Sequence, residues 1–108
     1  MNIIVCRLPD WKLEMNVVLD GSKITSSDDF YRQLAAGLDL HSYGRNLDAL
    51  WDLLSASVER PLSISWVDSE RSRDVLREEF QAIVAVLDRV VEFDRAARWP
   101  DKFHYTLL

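Results

Sequence analysis

The sequence predicts a small α/β domain with a mainly parallel sheet, and three observations point there. After a first strand near the N-terminus, the segments run strand, two helices, strand, one or two helices, strand. The length, 108 residues, suits one domain with a real core and is too short for two. Apolar residues make up 48% and charged residues 29%, the composition of a folded globular chain rather than a disordered one.

The elements follow in order. Asn2–Leu8, NIIVCRL, is β-rich and ends at the turn signal Pro9-Asp10. Met15–Gly21, MNVVLDG, is a short strand closed by Asp20-Gly21, spaced to pair antiparallel with the first across a loop around Trp11. A helix begins in TSSDDFYRQLAAGLDL. Ser26 is its expected N-cap, Asp29 the acidic half of a capping box, and Phe30, Leu34 and Leu38 its buried stripe, with Gly37 weakening the end. The loop HSYGR leads to Asn46, which can cap the next helix, and Pro61 closes that section. Leu62–Val67, LSISWV, alternates as a strand does. From about Ser72 to Asp94 the pattern is helical, with Val75, Phe80, Ile83, Val84, Leu87, Val90 and Val91 mainly on one side and a possible break near Glu78. A Pro100 loop then precedes the last strand, FHYTLL.

Composition excludes several roles. The net charge is −5, with seven acids against three bases in residues 20–59. Such a face repels nucleic acid and attracts a basic partner. No apolar run is long enough to span a membrane, and the N-terminus lacks a basic region followed by an apolar one, so the expected location is the cytoplasm. Cys6 is alone, and its apolar neighbours suggest a buried, reduced thiol. The three glycines, Gly21, Gly37 and Gly44, form no phosphate loop; no nucleophile elbow or paired cysteines occur. His104, between Phe103 and Tyr105, reads as a satisfied structural residue, and His41 as a solvated one or a partner contact. Asp48 and Asp52 without further oxygen ligands make a poor metal site, so no metal, cofactor or enzymatic activity is expected.

The stretch YGRNLDALWDLL, Tyr43–Leu54, holds the clearest tension. On a helical wheel of about 100° per residue, Leu47, Leu50 and Leu54 share an arc of roughly 60°, the expected core stripe. Trp51 borders that stripe, and Asp48 and Asp52 lie beyond it, on an outward patch. Two readings stay open from the residues alone. Asp48 suits a first helical turn and Asp52 a solvated position; alternatively, two like charges four apart beside a tryptophan form a recognition patch.

The same stretch resembles the signature helix of the barstar family, intracellular protein inhibitors of secreted bacterial ribonucleases. VVLDGSKITSSDDFYRQLAAGLDL resembles that family's first strand, turn and helix, and VERPLSISW its second strand; the last helix and FHYTLL fit more loosely. The resemblance covers residues 16–108 and leaves 1–15 as an N-terminal extension, expected to add an edge strand, within a single domain. It implies a three-stranded parallel sheet packed with helices. It also implies a non-enzymatic inhibitor or immunity protein, a monomer when free, whose partner is a basic ribonuclease. Asp52 would stand in for substrate phosphate, Asp48 would be the second acid and Trp51 the packing anchor. Gly44 and Asn46 would hold the loop and helix start, with Tyr43 on the contacting face.

Three departures qualify that carry-over. Ser42, with His41 beside it, stands where the family has a second tyrosine. Arg89 falls where it has an acidic contact, with Asp88 adjacent. The N-terminal extension has no counterpart in the short inhibitors. These leave room for a rival reading, a regulatory interaction module that docks a basic protein other than a nuclease.

Overall fold

The computed structural model describes residues 15–40, 44–58, 61–97 and 102–108. The expected strand Asn2–Leu8, Cys6 and the loop around Trp11 lie outside these residues, as do His41, Ser42 and Tyr43.

Three strands, β1 (Met15–Asp20), β2 (Leu62–Val67) and β3 (Phe103–Leu107), form one sheet in the order β1-β2-β3. Both pairings are parallel, with Met15 opposite Leu62 and Leu62 opposite Phe103. Parallel neighbours need long crossovers, and helices fill them. Between β1 and β2 lie α1 (Ser27–Gly37) and α2 (Leu47–Asp52); between β2 and β3 lie α3 (Ser69–Leu76) and α4 (Glu78–Ala97). The expected α/β class and parallel sheet are those observed. No helix among the described residues is long and apolar enough to cross a membrane.

Strand alternation sorts the side chains. Val17, Leu19, Leu62, Ile64, Trp66 and Phe103 are buried in one cluster with the helices, whereas Asn16, Val18, His104 and Thr106 are exposed. His104 is therefore on the open face of an edge strand, a correction to the satisfied structural position expected for it. The alternation that buries Phe103 turns its neighbour outward.

Trp66 is fully buried, with its ring centroid 5.0 Å from that of Phe30 in α1 and 5.0 Å from that of Phe80 in α4. A buried indole N–H needs an acceptor. Trp66 Nε1 donates to Ser72 Oγ at 3.0 Å, and Ser72 Oγ donates to the Gly21 carbonyl at 3.1 Å. This relay ties β2 to α3 and to the 3-10 turn Gly21–Lys23 that closes β1. Gly21 allows the approach, because a Cβ there would lie 2.4 Å from the Asp68 carbonyl oxygen. The Gln33 amide holds the end of β1, accepting from the Asp20 N–H at 2.7 Å and donating to the Asp20 carbonyl at 3.1 Å.

The helix ends follow the sequence with two adjustments. Ser26 Oγ accepts from the Asp29 N–H at 3.3 Å, as an N-cap should. The Asp29 carboxylate, however, reaches past Ser26 to the Thr25 N–H at 3.0 Å and the Thr25 hydroxyl at 2.9 Å. Thr25 offers that oxygen two donors where the reciprocal capping box offers one. Further along, the break near Glu78 is present: α3 stops at Leu76, and Arg77 takes φ 55°, ψ −112° before α4 begins. The break also corrects Val75, which is 53% exposed, because α3 has its own register and buries Ser72 and Leu76 instead. The sequence reading passed over Asp94, which is fully buried; its Oδ2 accepts from the Phe103 N–H at 2.7 Å and joins α4 to β3.

Candidate functional site

The start of α2 is fixed from two sides. Asn46 Oδ1 accepts from the Ala49 N–H at 2.8 Å, the expected N-cap bond. Arg45 Nη1 donates to Asp28 Oδ1 at 2.9 Å, and Arg32 Nη2 to Asp28 Oδ2 at 2.7 Å. The hydrogen bond from Arg45 is the main reason that the Asp28 carboxyl is held below its ordinary 3.8. The first turn of α1 and the residue before the α2 N-cap are thus cross-linked by charge-assisted bonds. Gly44 is exposed, and a Cβ there would lie 3.0 Å from that of Ala49, so a side chain would crowd the first turn.

Beyond Asp52 the helix continues as a π-helical turn, Leu53–Ser57. Its inward face is Leu50, Leu53 and Leu54, all buried. Leu47 is 38% exposed, which corrects its place in the core stripe. The buried arc is centred on Leu50 and runs toward Leu53, which leaves Leu47 at its margin.

Trp51 is half-buried against the core. Its ring meets Phe93 of α4 edge-on, with centroids 5.6 Å apart at 79°, and the Arg89 guanidinium lies 4.5 Å from its centroid. Trp51 thus sits at the border of the core stripe, packed on α4. Asp48 and Asp52 are exposed, and neither forms an ion pair among the described residues.

The two candidate secondary contacts part company. Asp88 accepts a hydrogen bond from the Tyr105 hydroxyl, while Arg89 lies over Trp51. Burial and the Asp88 hydrogen bond push the Tyr105 phenol up to about 12.

A groove of about 410 Å³ opens between α1, α2 and α4, lined among others by Tyr31, Arg45, Leu47, Asp48, Glu79 and Ile83. It contains Asp48 but not Asp52. The sequence reading missed Glu79 and Arg45 in the groove, and Asp28, which holds Arg45. Arg45 and Asp28 are 17 residues apart, too far for a helical spacing rule to pair them.

Among the described residues, no group of three or more His, Cys, Asp or Glu side chains is arranged to hold a metal ion. The arrangement offers instead an exposed acidic pair beside a packed, cation-capped tryptophan, on a helix whose start is pinned. Such a surface can receive basic side chains without first breaking an ion pair between Asp48 or Asp52 and another of the described residues.

Comparison with known proteins agrees with this geometry. The family model described as "Barstar (barnase inhibitor)" matches residues 14–107. A Bacillus subtilis (strain 168) protein named "Putative ribonuclease inhibitor YrdF" is 31% identical over 77 residues, covering 70% of this chain and 85% of that protein. The match runs from the first residue before β1 to the end of β3 and takes in every element of the fold: the chain belongs to the barstar family.

Proposed function

We propose that this chain is an intracellular inhibitor, an immunity protein, of a bacterial ribonuclease, and that it blocks the active site with α2 and the loop before it. The observation that carries the reading is the exposed Asp48 and Asp52 beside Trp51, without an ion-pair partner among the described residues, in a chain of the barstar family with a relative named as a ribonuclease inhibitor.

Like charges four apart on a helix repel by about 0.2–0.5 kcal/mol, and α2 has no lysine or arginine to offset this. A cluster of Arg, Lys and His on a ribonuclease, built to hold phosphate, relieves that repulsion through short charge-assisted bonds. Asp52 takes the place of substrate phosphate, Asp48 is the second acid, and Trp51 is the rigid anchor between them. Gly44 and Asn46 set the helix start, with Tyr43, Ser42 and His41 supplying the loop side of the contact; Asp88 and Arg89 lie at its margin. The chain acts by occupation and needs no cofactor or catalysis of its own, and it is a cytoplasmic monomer when free. Opposite charge across the gap speeds encounter, so the association rate falls as salt rises.

The test is inhibition of secreted guanyl-specific ribonucleases by the chain and by its Asp52→Ala variant. Inhibition at micromolar protein that Asp52→Ala abolishes supports the reading. Full ribonuclease activity throughout, with the same partners captured by both proteins, overturns it.

One observation favours a second reading. Arg89 adds a cation beside the acidic face, and a basic partner other than a nuclease, with an acid of its own at that margin, fits this equally. Capture of such a protein in an Asp52-dependent way, without any ribonuclease, selects it.

A further inference from the structure

Asp48 and Asp52 do not serve the same concavity, since only Asp48 lines the groove between α1, α2 and α4. The groove has apolar walls in Leu47, Tyr31 and Ile83, and two carboxylates, Asp48 and Glu79, from different helices. The cation in its lining, Arg45, is already held at 2.9 Å by Asp28. Neither Asp48 nor Glu79 has an ion-pair partner among the described residues, so the uncompensated charge of the groove is negative. The Glu79 charge reaches across the groove: the Tyr31 phenol is pushed up by burial and further by Glu79. The volume, about 410 Å³, falls within the roughly 300–1,000 Å³ of ligand-binding clefts.

We propose that this groove is a second insertion point for the protein partner, taking one arginine side chain. The arginine stem lies along Leu47 and Ile83, and its guanidinium sits between Asp48 and Glu79. This rests on the reading of a basic protein partner and adds to it a subsite separate from Asp52. Arginine fits better than lysine because its head is planar, offers several donors to two separated carboxylates, and is more weakly hydrated than a compact ammonium. The apolar walls favour the same choice, because a long aliphatic stem covers them while its charged head stays at the acidic rim.

The experiment uses the isolated chain and needs no identified partner. The 15N-labelled protein is titrated with N-acetyl-arginine-N-methylamide at millimolar concentration, with the uncharged citrulline derivative as control. The expected result is saturable shifts at Asn46, Leu47, Glu79 and Ala82 that weaken about tenfold or more with the citrulline derivative. The same loss is expected in Glu79→Gln and in Ala82→Leu, which narrows the groove. Glu79 is exposed, so Glu79→Gln keeps the fold and the result stands even if Ala82→Leu does not. Equal shifts from both derivatives, or arginine binding untouched by Glu79→Gln, overturn the proposal. In complex with a ribonuclease captured through Asp52, Glu79→Gln should raise Kd about tenfold. An unchanged Kd there, with Asp52→Ala still abolishing binding, removes the groove from the interface and leaves the inhibitor reading standing. Arginine binding at the groove by a chain that holds no ribonuclease does the reverse.

Discussion

Arg89 lies over the ring of Trp51, the residue that precedes Asp52, with its guanidinium carbon 4.5 Å from the centroid. A cation on that ring serves α2 and α4 together, because Phe93 packs against the same indole edge-on. Arg89→Ala is expected to lower stability by only about 0.5–1 kcal/mol, the worth of an exposed cation–π contact. Its effect on binding should be larger and should differ in sign between partners, according to the charge that each presents at that margin. Urea unfolding and affinity measurements on the same variant check both halves. Equal affinity changes for all partners would remove Arg89 from partner choice.

Asp52→Ala separates function from fold. The carboxylate has no partner to lose among the described residues, and its removal ends the repulsion from Asp48. Thermal stability should stay level or rise by a few tenths of a kcal/mol while ribonuclease inhibition disappears. Asp48→Ala relieves the same repulsion but gives up a first-turn acid, so its stability should stay level or fall slightly, with a smaller loss of inhibition. A clear drop in Tm for Asp52→Ala would show that this side chain also holds the fold.

Ser72→Ala tests the buried relay. It leaves the Trp66 N–H and the Gly21 carbonyl without the hydroxyl that joins them, a loss of about 1–3 kcal/mol. The denaturation midpoint should fall with the m-value unchanged. Asp52-dependent binding should persist in whatever fraction remains folded, since Ser72 is in α3 and away from α2.

Tyr105 gives the alkaline limit. Folding favours its neutral form, whose folded pKa of about 12 lies above the ordinary 10.0. The contribution to stability is therefore complete below pH 10 and is lost as pH rises from there through about 12. An absorbance titration should show a phenol ionising late, and Tyr105→Phe should abolish that step. Tyr31, also raised, supplies the alkaline sensitivity that remains in Tyr105→Phe.

Most of the fold was legible in the sequence because period and punctuation agree along the chain. Asp20-Gly21, Ser26 and Asn46 mark real boundaries, and LSISWV alternates as β2 does. The errors have a common origin. Val75 and Leu47 were placed by extending one helical register across a change of geometry, the Arg77 break in one case and the margin of a short helix in the other. Asp94 was invisible because nothing in its neighbours announces that a carboxylate near the end of an apolar helix will meet the first N–H of β3. The acidic pair could be read from spacing alone, but the groove could not, since Glu79 and Asp48 line it together only through packing of α4 on α2. His41, Ser42 and Tyr43 lie outside the described residues and rest on the family resemblance.

The shortness of α2 limits how its surface can be copied. Six α-helical residues and a five-residue π-helical turn fall short of the ~12–15 residues below which a helix is marginal in water by itself. Their order comes from Asp28 on one side and from α4 on the other. A synthetic peptide spanning residues 44–58 would carry both aspartates and the tryptophan and still arrive disordered, spending much of its contact energy on ordering itself. A useful mimic would have to reproduce the cross-link from Arg45 and the platform under Trp51, not only the letters of the helix.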